Sequence, residues 1–199
     1  MSGAALILAA GRGRRFGSDK RRARLADGRT LLGATLDRYA QVFDRVLVVL
    51  RPGEALPADG PRPGVEVVFA PGADRGMGAS LADGIGACAG LCWIFVALGD
   101  MPWVRTATLE ALRRAAVTEP AAASPVIQPV RAGHPGHPVG FRAALFPALS
   151  RLDGDTGARP VVQLAERILR VPVDDAGIHR DADTPAALAD GESRASGDA

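Results

Sequence analysis

Residues 4–20 read AALILAAGRGRRFGSDK, an apolar run that passes directly into a loop rich in glycine and arginine. A short apolar run bounded by glycine is typical of a strand covered on both faces, as in a parallel sheet flanked by helices. We therefore predict a buried first strand at 4–10. Parallel sheets of this kind bind ligands at the carboxyl ends of their strands, so the loop that follows is the first candidate for a site.

Apolar runs and helix-length segments alternate along the rest of the chain. In the first half we predict strands at 46–50, 65–69 and 93–98 and helices at 30–43, 77–89 and 106–117. In the second half we predict strands at 124–130, 137–141 and 169–173, and helices at 143–149, 161–168 and 186–189. The alternation predicts the α/β class, a three-layer α/β/α arrangement around a mainly parallel, Rossmann-like sheet. We expect one domain over residues 1–190 and a disordered polar tail over 191–199.

The composition argues against several classes of protein. Hydrophobic residues make up 47% of the chain, and the formal net charge of +2 is too small to indicate a nucleic-acid surface. The sequence contains no apolar run long enough for a membrane span, and its first residues lack the basic region of a signal peptide. The two cysteines, Cys88 and Cys92, are too few for a disulfide scaffold. We expect a cytoplasmic enzyme or binding protein with neither a membrane nor a nucleic acid as partner.

The loop after the first predicted strand has the residue types of a triphosphate cradle. Gly11 and Gly13 let backbone N–H groups approach a ligand closely, and Arg12 and Arg15 add positive charge. Lys20 is the only lysine among the 24 basic residues, which indicates that a compact ammonium is required at this position. The spacing fits neither a Walker A loop nor the dinucleotide-binding fingerprint.

Carboxylates in two other loops are candidate metal ligands. Asp100 directly follows the fourth predicted strand, where a carboxylate is costly to bury unless it is paired or binds a cation. Mg²⁺ suits such a site because it is held by one or two carboxylates together with substrate phosphates. Residues 181–185 read DADTP, in which Asp183 is either the second magnesium ligand or a helix cap before Pro185.

A second glycine loop is a candidate site for the nucleobase. Residues 75–81 read RGMGASL and lie between a predicted strand and a predicted helix. Gly76 and Gly78 permit close approach of the backbone to a flat base, and the Ser80 hydroxyl can form a hydrogen bond with its edge. The same glycines also fit a simple turn at the start of a helix.

These motifs resemble those of the small MobA- and MocA-like nucleotidyltransferases, and the similarity is greatest to molybdenum cofactor cytidylyltransferases. Residues 8–20 match the pattern LAAG-x3-R-x-G-x2-K. Four further segments are similar to motifs of the family in the same order, namely GMG at 76–78, GDMP at 99–102, the histidine-proline segment at 133–141 and GDTGAR at 154–159. The ending DADTP resembles the D-x-D-T-P of the family.

The resemblance implies a fold of the nucleotide-diphospho-sugar transferase type and a role for each motif. The implied catalytic residues are Lys20, Arg15 and Asp100. The implied nucleotide-binding residues are Leu8, Ala9, Ala10, Gly11, Arg12, Gly13, Gly76, Gly78 and Ser80. The implied acceptor-binding residues are His137, Asp155 and Arg159. Mg²⁺ is the implied cofactor, held by Asp100 and Asp183, with Asp181 as the alternative second ligand.

The chain departs from the family pattern at several positions. Ala79 replaces the first serine of GMGSSL, and Ala70 stands where the family has asparagine. Ala10 replaces a glycine that is usual in the guanylyl-transferring branch, which favours cytidine. Residues 21–24 read RRAR where the family has apolar residues, so these arginines are either extra phosphate contacts or solvent-facing charges.

The resemblance implies transfer of CMP from CTP to molybdopterin with release of pyrophosphate, and it also implies a molybdenum enzyme as a further partner. One alternative is transfer to another phosphorylated acceptor, such as a sugar phosphate. Another is a non-catalytic nucleotide-binding protein that delivers cofactor. A third is an α/β protein whose basic loop binds RNA backbone, but the 5% of aromatic residues provides few stacking platforms.

Overall fold

A computed structural model describes residues 2–12, 19–120, 124–182, 184 and 187–188. The expected tail at 191–199 lies outside these residues, as do residues 186 and 189 of the helix predicted at 186–189, whereas residues 187–188 are helical. Gly13, Arg15 and Asp183 are also outside them, so their predicted roles remain predictions.

The centre of the fold is a sheet whose first four strands are parallel. They are β1 (Gly3–Leu8), β2 (Val46–Leu50), β3 (Val65–Phe69) and β4 (Trp93–Leu98), in the order β3-β2-β1-β4. The second half of the chain extends the sheet beyond β4 with β5 (Val126–Arg131), β6 (His134–Pro135), β7 (Val139–Arg142) and β8 (Ile168–Pro172). Strand β7 pairs antiparallel with both β4 and β5, whereas β8 pairs parallel with β5.

Helices cover both faces of the sheet. They are α1 (Leu31–Ala40), α2 (Met77–Ile85), α3 (Thr106–Thr118), α4 (Phe146–Leu149) and α5 (Arg159–Leu164). Side chains of β1 alternate between the faces, so Ala5 and Ile7 pack in one core cluster with α1 and α3, and Leu6 packs in the other with α2, α4 and α5. The predicted three-layer α/β class with a mainly parallel sheet is therefore confirmed.

Some predicted boundaries differ from the observed ones. The first strand begins at Gly3 and ends at Leu8 instead of spanning residues 4–10, and the Ala9 amide makes one more hydrogen bond to β2, with the Val49 carbonyl at 3.0 Å. The helix predicted at 161–168 is wrong in position: α5 begins at Arg159 and ends at Leu164. Pro160 occupies its first turn, where a missing N–H costs nothing, and Ile168 already pairs with Val126 in the sheet.

Backbone hydrogen bonds bring the loops at the carboxyl ends of the parallel strands together. The Gly99 amide donates to the Leu8 carbonyl at 2.9 Å, and the Ala182 amide donates to the Asp100 carbonyl at 3.0 Å. The distant segment around residue 182 is thus held beside the end of β4. Among the described residues, no helix has the length and apolar character needed to span a membrane.

Candidate active site

A cavity of about 780 Å³ lies at the carboxyl edge of the parallel strands. It is lined by residues from the loops after all four of these strands and by Asp155 and Asp181 from the second half of the chain. Most of the predicted nucleotide-binding residues within the described part of the chain line it, namely Leu8, Ala9, Ala10, Gly11, Arg12, Gly76 and Ser80. The predicted first glycine loop and second glycine loop are therefore walls of one cavity.

Lys20 and Asp100 form an ion pair at the β4 side of this cavity, although 80 positions separate them in the sequence. Their side chains are only 15% and 16% exposed. Lys20 begins a short 3₁₀ helix, Lys20–Arg22, whose preceding Asp19 side chain accepts a hydrogen bond from the Arg21 amide. Asp100 Oδ1 is buried and has no hydrogen-bond partner among the described residues. A buried carboxylate oxygen without a partner is costly, so this atom is suited to bind a cation.

The sequence left open whether the arginines after Lys20 contact phosphate or face solvent, and two of them differ in the structure. Arg22 is exposed, as a solvent-facing charge would be. Arg21 instead turns inward and lines the cavity, where its guanidinium pairs with Asp19 and Glu54. Burial alone would lower the pKa of Arg21, but its bonds to Asp19 and Glu54 raise that pKa above its usual value. Arg21 therefore supports the first loop as a fixed cation.

Arg51, which sequence reasoning missed, crosses the cavity wall between the two glycine loops. Its Nε donates to the Ala10 carbonyl at 2.8 Å, and its terminal nitrogens donate to the Ala73 carbonyl at 3.2 Å and to Asp74 Oδ1 at 2.6 Å. Asp74 Oδ1 also accepts hydrogen bonds from the guanidinium of Arg12. Arg12 first and Arg51 second hold the pKa of Asp74 below its usual value. The signal that would have found Arg51 is its place directly after the buried strand β2.

The second glycine loop is built against the loop that contains Asp155. Gly76 has a φ of +124°, and a Cβ at this position would lie 2.4 Å from Asp155 Oδ1. The Gly78 amide donates to the Gly154 carbonyl at 2.7 Å, so Gly78 joins these loops and does not line the cavity. The Ser80 hydroxyl donates to the Gly76 carbonyl at 3.1 Å. Glycine is required at position 76 by both its backbone angle and its neighbour.

The three predicted acceptor residues do not lie together. Asp155 lines the cavity, whereas Arg159 is exposed at the start of α5 and does not line it. His137 does not line the cavity, and its buried Nδ1 has no hydrogen-bond partner among the described residues. Burial lowers the pKa of His137 below its usual value, although the nearby carboxylates of Asp100 and Asp181 oppose this shift. His137 is thus next to the end of β4 without facing the cavity.

The chemistry of the donors at the β4 side fits a hard divalent cation. Asp100 and Asp181 both line the cavity, and Asp100 Oδ1 lacks a partner among the described residues. No cluster of three or more histidine, cysteine or acidic residues suited to a metal occurs in the part of the chain that the structure describes. Mg²⁺ needs only one or two carboxylates when substrate phosphates complete its coordination, so the residues present fit this ion.

Comparison with solved structures shows the same fold in several proteins. Rv0371c from Mycobacterium tuberculosis H37Rv is 29% identical, with a TM-score of 0.79, over 97% of this chain and 98% of that chain. A manganese complex of Rv0371c is 27% identical over 97% and 99%, with a TM-score of 0.75. The 2-C-methyl-D-erythritol 4-phosphate cytidylyltransferase of Thermus thermophilus is 24% identical over 98% and 100%, with a TM-score of 0.68.

Comparison of the sequence with curated proteins finds no match. The sequence does match the profile of the MobA-like NTP transferase domain over residues 5–171. This match includes both glycine loops, Lys20 and Asp100, and it extends through most of β8. The chain therefore belongs to the MobA-like NTP transferase family and is a nucleotidyltransferase.

Proposed function

We propose that this protein transfers CMP from CTP to the phosphate of molybdopterin and releases pyrophosphate, with Mg²⁺ as its cofactor. The observation that carries the proposal is the arrangement of Lys20 and Asp100. An ammonium and a carboxylate face one cavity that two glycine loops enclose, and one buried oxygen of that carboxylate has no hydrogen-bond partner among the described residues. Such a site can hold a metal-bound triphosphate beside a fixed positive charge.

The reaction needs no nucleophile from the protein. An oxygen of the acceptor phosphate forms a bond to the α-phosphorus of CTP, and the bond from that phosphorus to the bridging oxygen breaks. Pyrophosphate leaves with the electron pair of the broken bond. Catalysis then consists of holding the two phosphates in line and neutralising the charge that they bring together.

Each group of site residues has its own proposed role in binding the phosphates, the metal ion or the acceptor. Backbone N–H groups of the first glycine loop bind the triphosphate, and Lys20 and Arg15 stabilise the charge on the transferring and leaving groups. Asp100, with Asp183 or Asp181, would hold Mg²⁺. When bound, this ion supplies further charge neutralisation on the phosphates. Asp155, His137 and Arg159 remain the proposed acceptor residues, of which Asp155 lines the cavity.

The choice of CTP is supported by Ala10, which stands where the guanylyl-transferring branch usually has glycine. Two proteins with the same fold are named for different acceptor substrates. One is the cytidylyltransferase of Thermus thermophilus, named for 2-C-methyl-D-erythritol 4-phosphate, and the other is the molybdopterin-guanine dinucleotide biosynthesis protein A of Archaeoglobus fulgidus. At 24% and 19% identity these likenesses concern the fold alone, so they leave substrate choice to experiment.

The test is a matrix of the four NTPs against molybdopterin and a set of sugar phosphates, with pyrophosphate release as the readout. We expect release with CTP and molybdopterin, its loss after chelation of divalent ions, and its recovery when Mg²⁺ is added. No release from CTP with molybdopterin would refute this proposal. Release with a sugar phosphate instead would replace the acceptor, and tight CTP binding without turnover on any acceptor would favour a cofactor-delivery protein.

A further inference from the structure

The cavity has two chemically different ends, and the nucleobase has to lie at one of them. Lys20, Asp100 and Asp181 lie on the β4 side. Arg51 and Asp74 lie at the ends of β2 and β3, two and three strands away in the order β3-β2-β1-β4. Adjacent strands are about 4.8 Å apart, so β2 is about 10 Å from β4, which suits the length of a nucleotide. With the reacting phosphate beside Lys20, the base reaches the β2 side.

Arg51 is held rigidly at this second end. Its side chain is 17% exposed, and its three nitrogens each donate to a different acceptor, the carbonyls of Ala10 and Ala73 and the carboxylate of Asp74. These acceptors belong to the loops after β1 and β3, so the planar guanidinium has one orientation. A lysine in its place would supply the charge but not three donors in a plane.

The guanidinium has donors left over for a ligand. Arginine carries five N–H hydrogens, and the contacts with the described residues use one on each nitrogen. One hydrogen therefore remains on each of the two terminal nitrogens. Because Arg51 lines the cavity, these two donors match a ligand that presents two neighbouring acceptor atoms.

We propose that Arg51 determines base specificity by donating to the adjacent acceptors of the nucleobase. Cytosine offers O2 and N3 side by side, and guanine offers O6 and N7, the pair that arginine reads in DNA. Uracil has no such pair, because its N3–H donor separates O2 from O4. In adenine the amino group separates N7 from N1, and the C2–H group separates N1 from N3, so no two acceptors converge on one arginine fork. The inference rests on the proposed nucleotide binding and deepens it by naming the residue that reads the base.

The test is equilibrium dialysis of the full-length protein with radiolabelled CTP, GTP, ATP and UTP in the presence of Mg²⁺. The wild-type protein should bind CTP or GTP about 10- to 100-fold more tightly than ATP or UTP, the range expected for one bidentate arginine contact. Preference for CTP supports both proposals. Preference for GTP supports the role of Arg51 and replaces CTP as the donor. Equal binding of all four overturns the inference alone, and no binding of any overturns the proposed function with it.

Two variants and one control separate base reading from a structural role. Arg51→Gln and Arg51→Lys should lose the discrimination between the four nucleotides, and UTP binding should change little. Arg45→Gln is the matched control, because Arg45 directly precedes β2 while Arg51 directly follows it, and Arg45 pairs only with Glu66 in the described structure. A uniform weakening of all four nucleotides in both Arg51 variants would overturn the proposal.

Nucleotide analogues test the same contact without changing the protein, so a variant that fails to fold leaves the question answerable. Removal of N3 in 3-deaza-CTP, or of N7 in 7-deaza-GTP, deletes one of the two acceptors. The analogue of the preferred nucleotide should bind the wild-type protein about 10-fold more weakly, because one of two hydrogen bonds to a charged donor is lost. Unchanged affinity would overturn the proposal.

Discussion

Each end of the cavity holds an ion pair, and the two pairs differ in their exposure to solvent. At the β4 end, Lys20 and Asp100 are only 15% and 16% exposed, so water screens their interaction weakly. At the β3 end, Arg12 and Asp74 are 55% and 66% exposed and meet in solvent. Charges act strongly where water is excluded and weakly where it is not. We therefore propose that the chemical step takes place at the β4 end and that the β3 end recognises and guides the nucleotide.

The largest predicted effect is at the β4 end. Lys20→Ala and Asp100→Ala should each lower turnover about 1,000-fold or more, because Lys20 is proposed to neutralise charge on the transferring phosphate and Asp100 to hold the metal ion. The measurement is the initial rate of pyrophosphate release, with circular dichroism to verify the fold. Arg113→Ala is the control, since Arg113 pairs with the exposed Asp44 at 3.6 Å and lies away from the cavity. Near-normal activity in either site variant would remove that residue from the mechanism.

The next effect should come from the contact between the second glycine loop and the Asp155 loop. Gly76→Ala places a Cβ 2.4 Å from Asp155 Oδ1 at a φ of +124°, which we expect to cost about 1–3 kcal/mol of unfolding free energy. Urea denaturation measures this cost. Gly86→Ala is the matched control, because a Cβ there meets nothing within 4 Å and φ is −55°.

A double variant separates the collision with the Asp155 carboxylate from the other causes of the cost at Gly76. Asp155→Ala in the Gly76→Ala background removes that collision but leaves the backbone strain and the close approach to the Gly154 carbonyl at 2.5 Å, so only part of the stability should return. Wild-type stability of Gly76→Ala by itself would contradict the close packing of these two loops.

The smallest effect should be at the exposed end. The pKa of Asp74 is held below its usual value, first by Arg12 and then by Arg51, so Arg12→Ala should raise it. Raising the salt concentration from about 0.1 M to about 1 M should also raise it, because the screening length falls from about 10 Å to about 3 Å. Carboxyl NMR titration gives both measurements. A pKa of Asp74 that responds to neither change would show that Arg12 does not hold it below its usual value.

The direction of the pH effect on stability follows from the same shift. Because the pKa of Asp74 is lower in the folded than in the unfolded state, its contribution is present above the unfolded pKa, which is about 3.9. This contribution is lost as the pH falls through the folded pKa. The stability difference between the wild type and Asp74→Asn should therefore be present at neutral pH and disappear in acid.

The first half of the fold follows from its sequence more closely than the second. The bounds predicted for β2, β3 and β4 agree with the structure, because each is a short apolar-rich run with a charged residue or glycine next to at least one end. The second half has mixed patterns in which a short apolar segment fits a helix or a strand equally well. Ile168 is such a case: its pairing with Val126, which is distant in the sequence, decides that it belongs to β8.

In the site, too, some features follow from the sequence and others depend on tertiary contacts. The sequence predicts Lys20 and Asp100 as site residues from their loops, but their direct ion pair depends on the parallel pairing of β1 with β4. The resemblance implies Asp155 as an acceptor residue, and only the structure shows that this carboxylate lies beside Gly76 in the cavity wall. Arg51 carries no motif at all, and only the positions of Ala10, Ala73 and Asp74 around it reveal its place in the wall.

The sequence by itself determines the layered α/β class, the family and the loops that carry charge, because hydrophobic periodicity and glycine spacing are local properties of the chain. The tertiary structure decides which of these charges meet and which stay in water, because contacts between loops depend on strand order. It places Lys20 against Asp100 in a poorly screened site and leaves Arg12 and Asp74 exposed. Burial is a property of the assembled fold, and burial decides how strongly each of these charges acts.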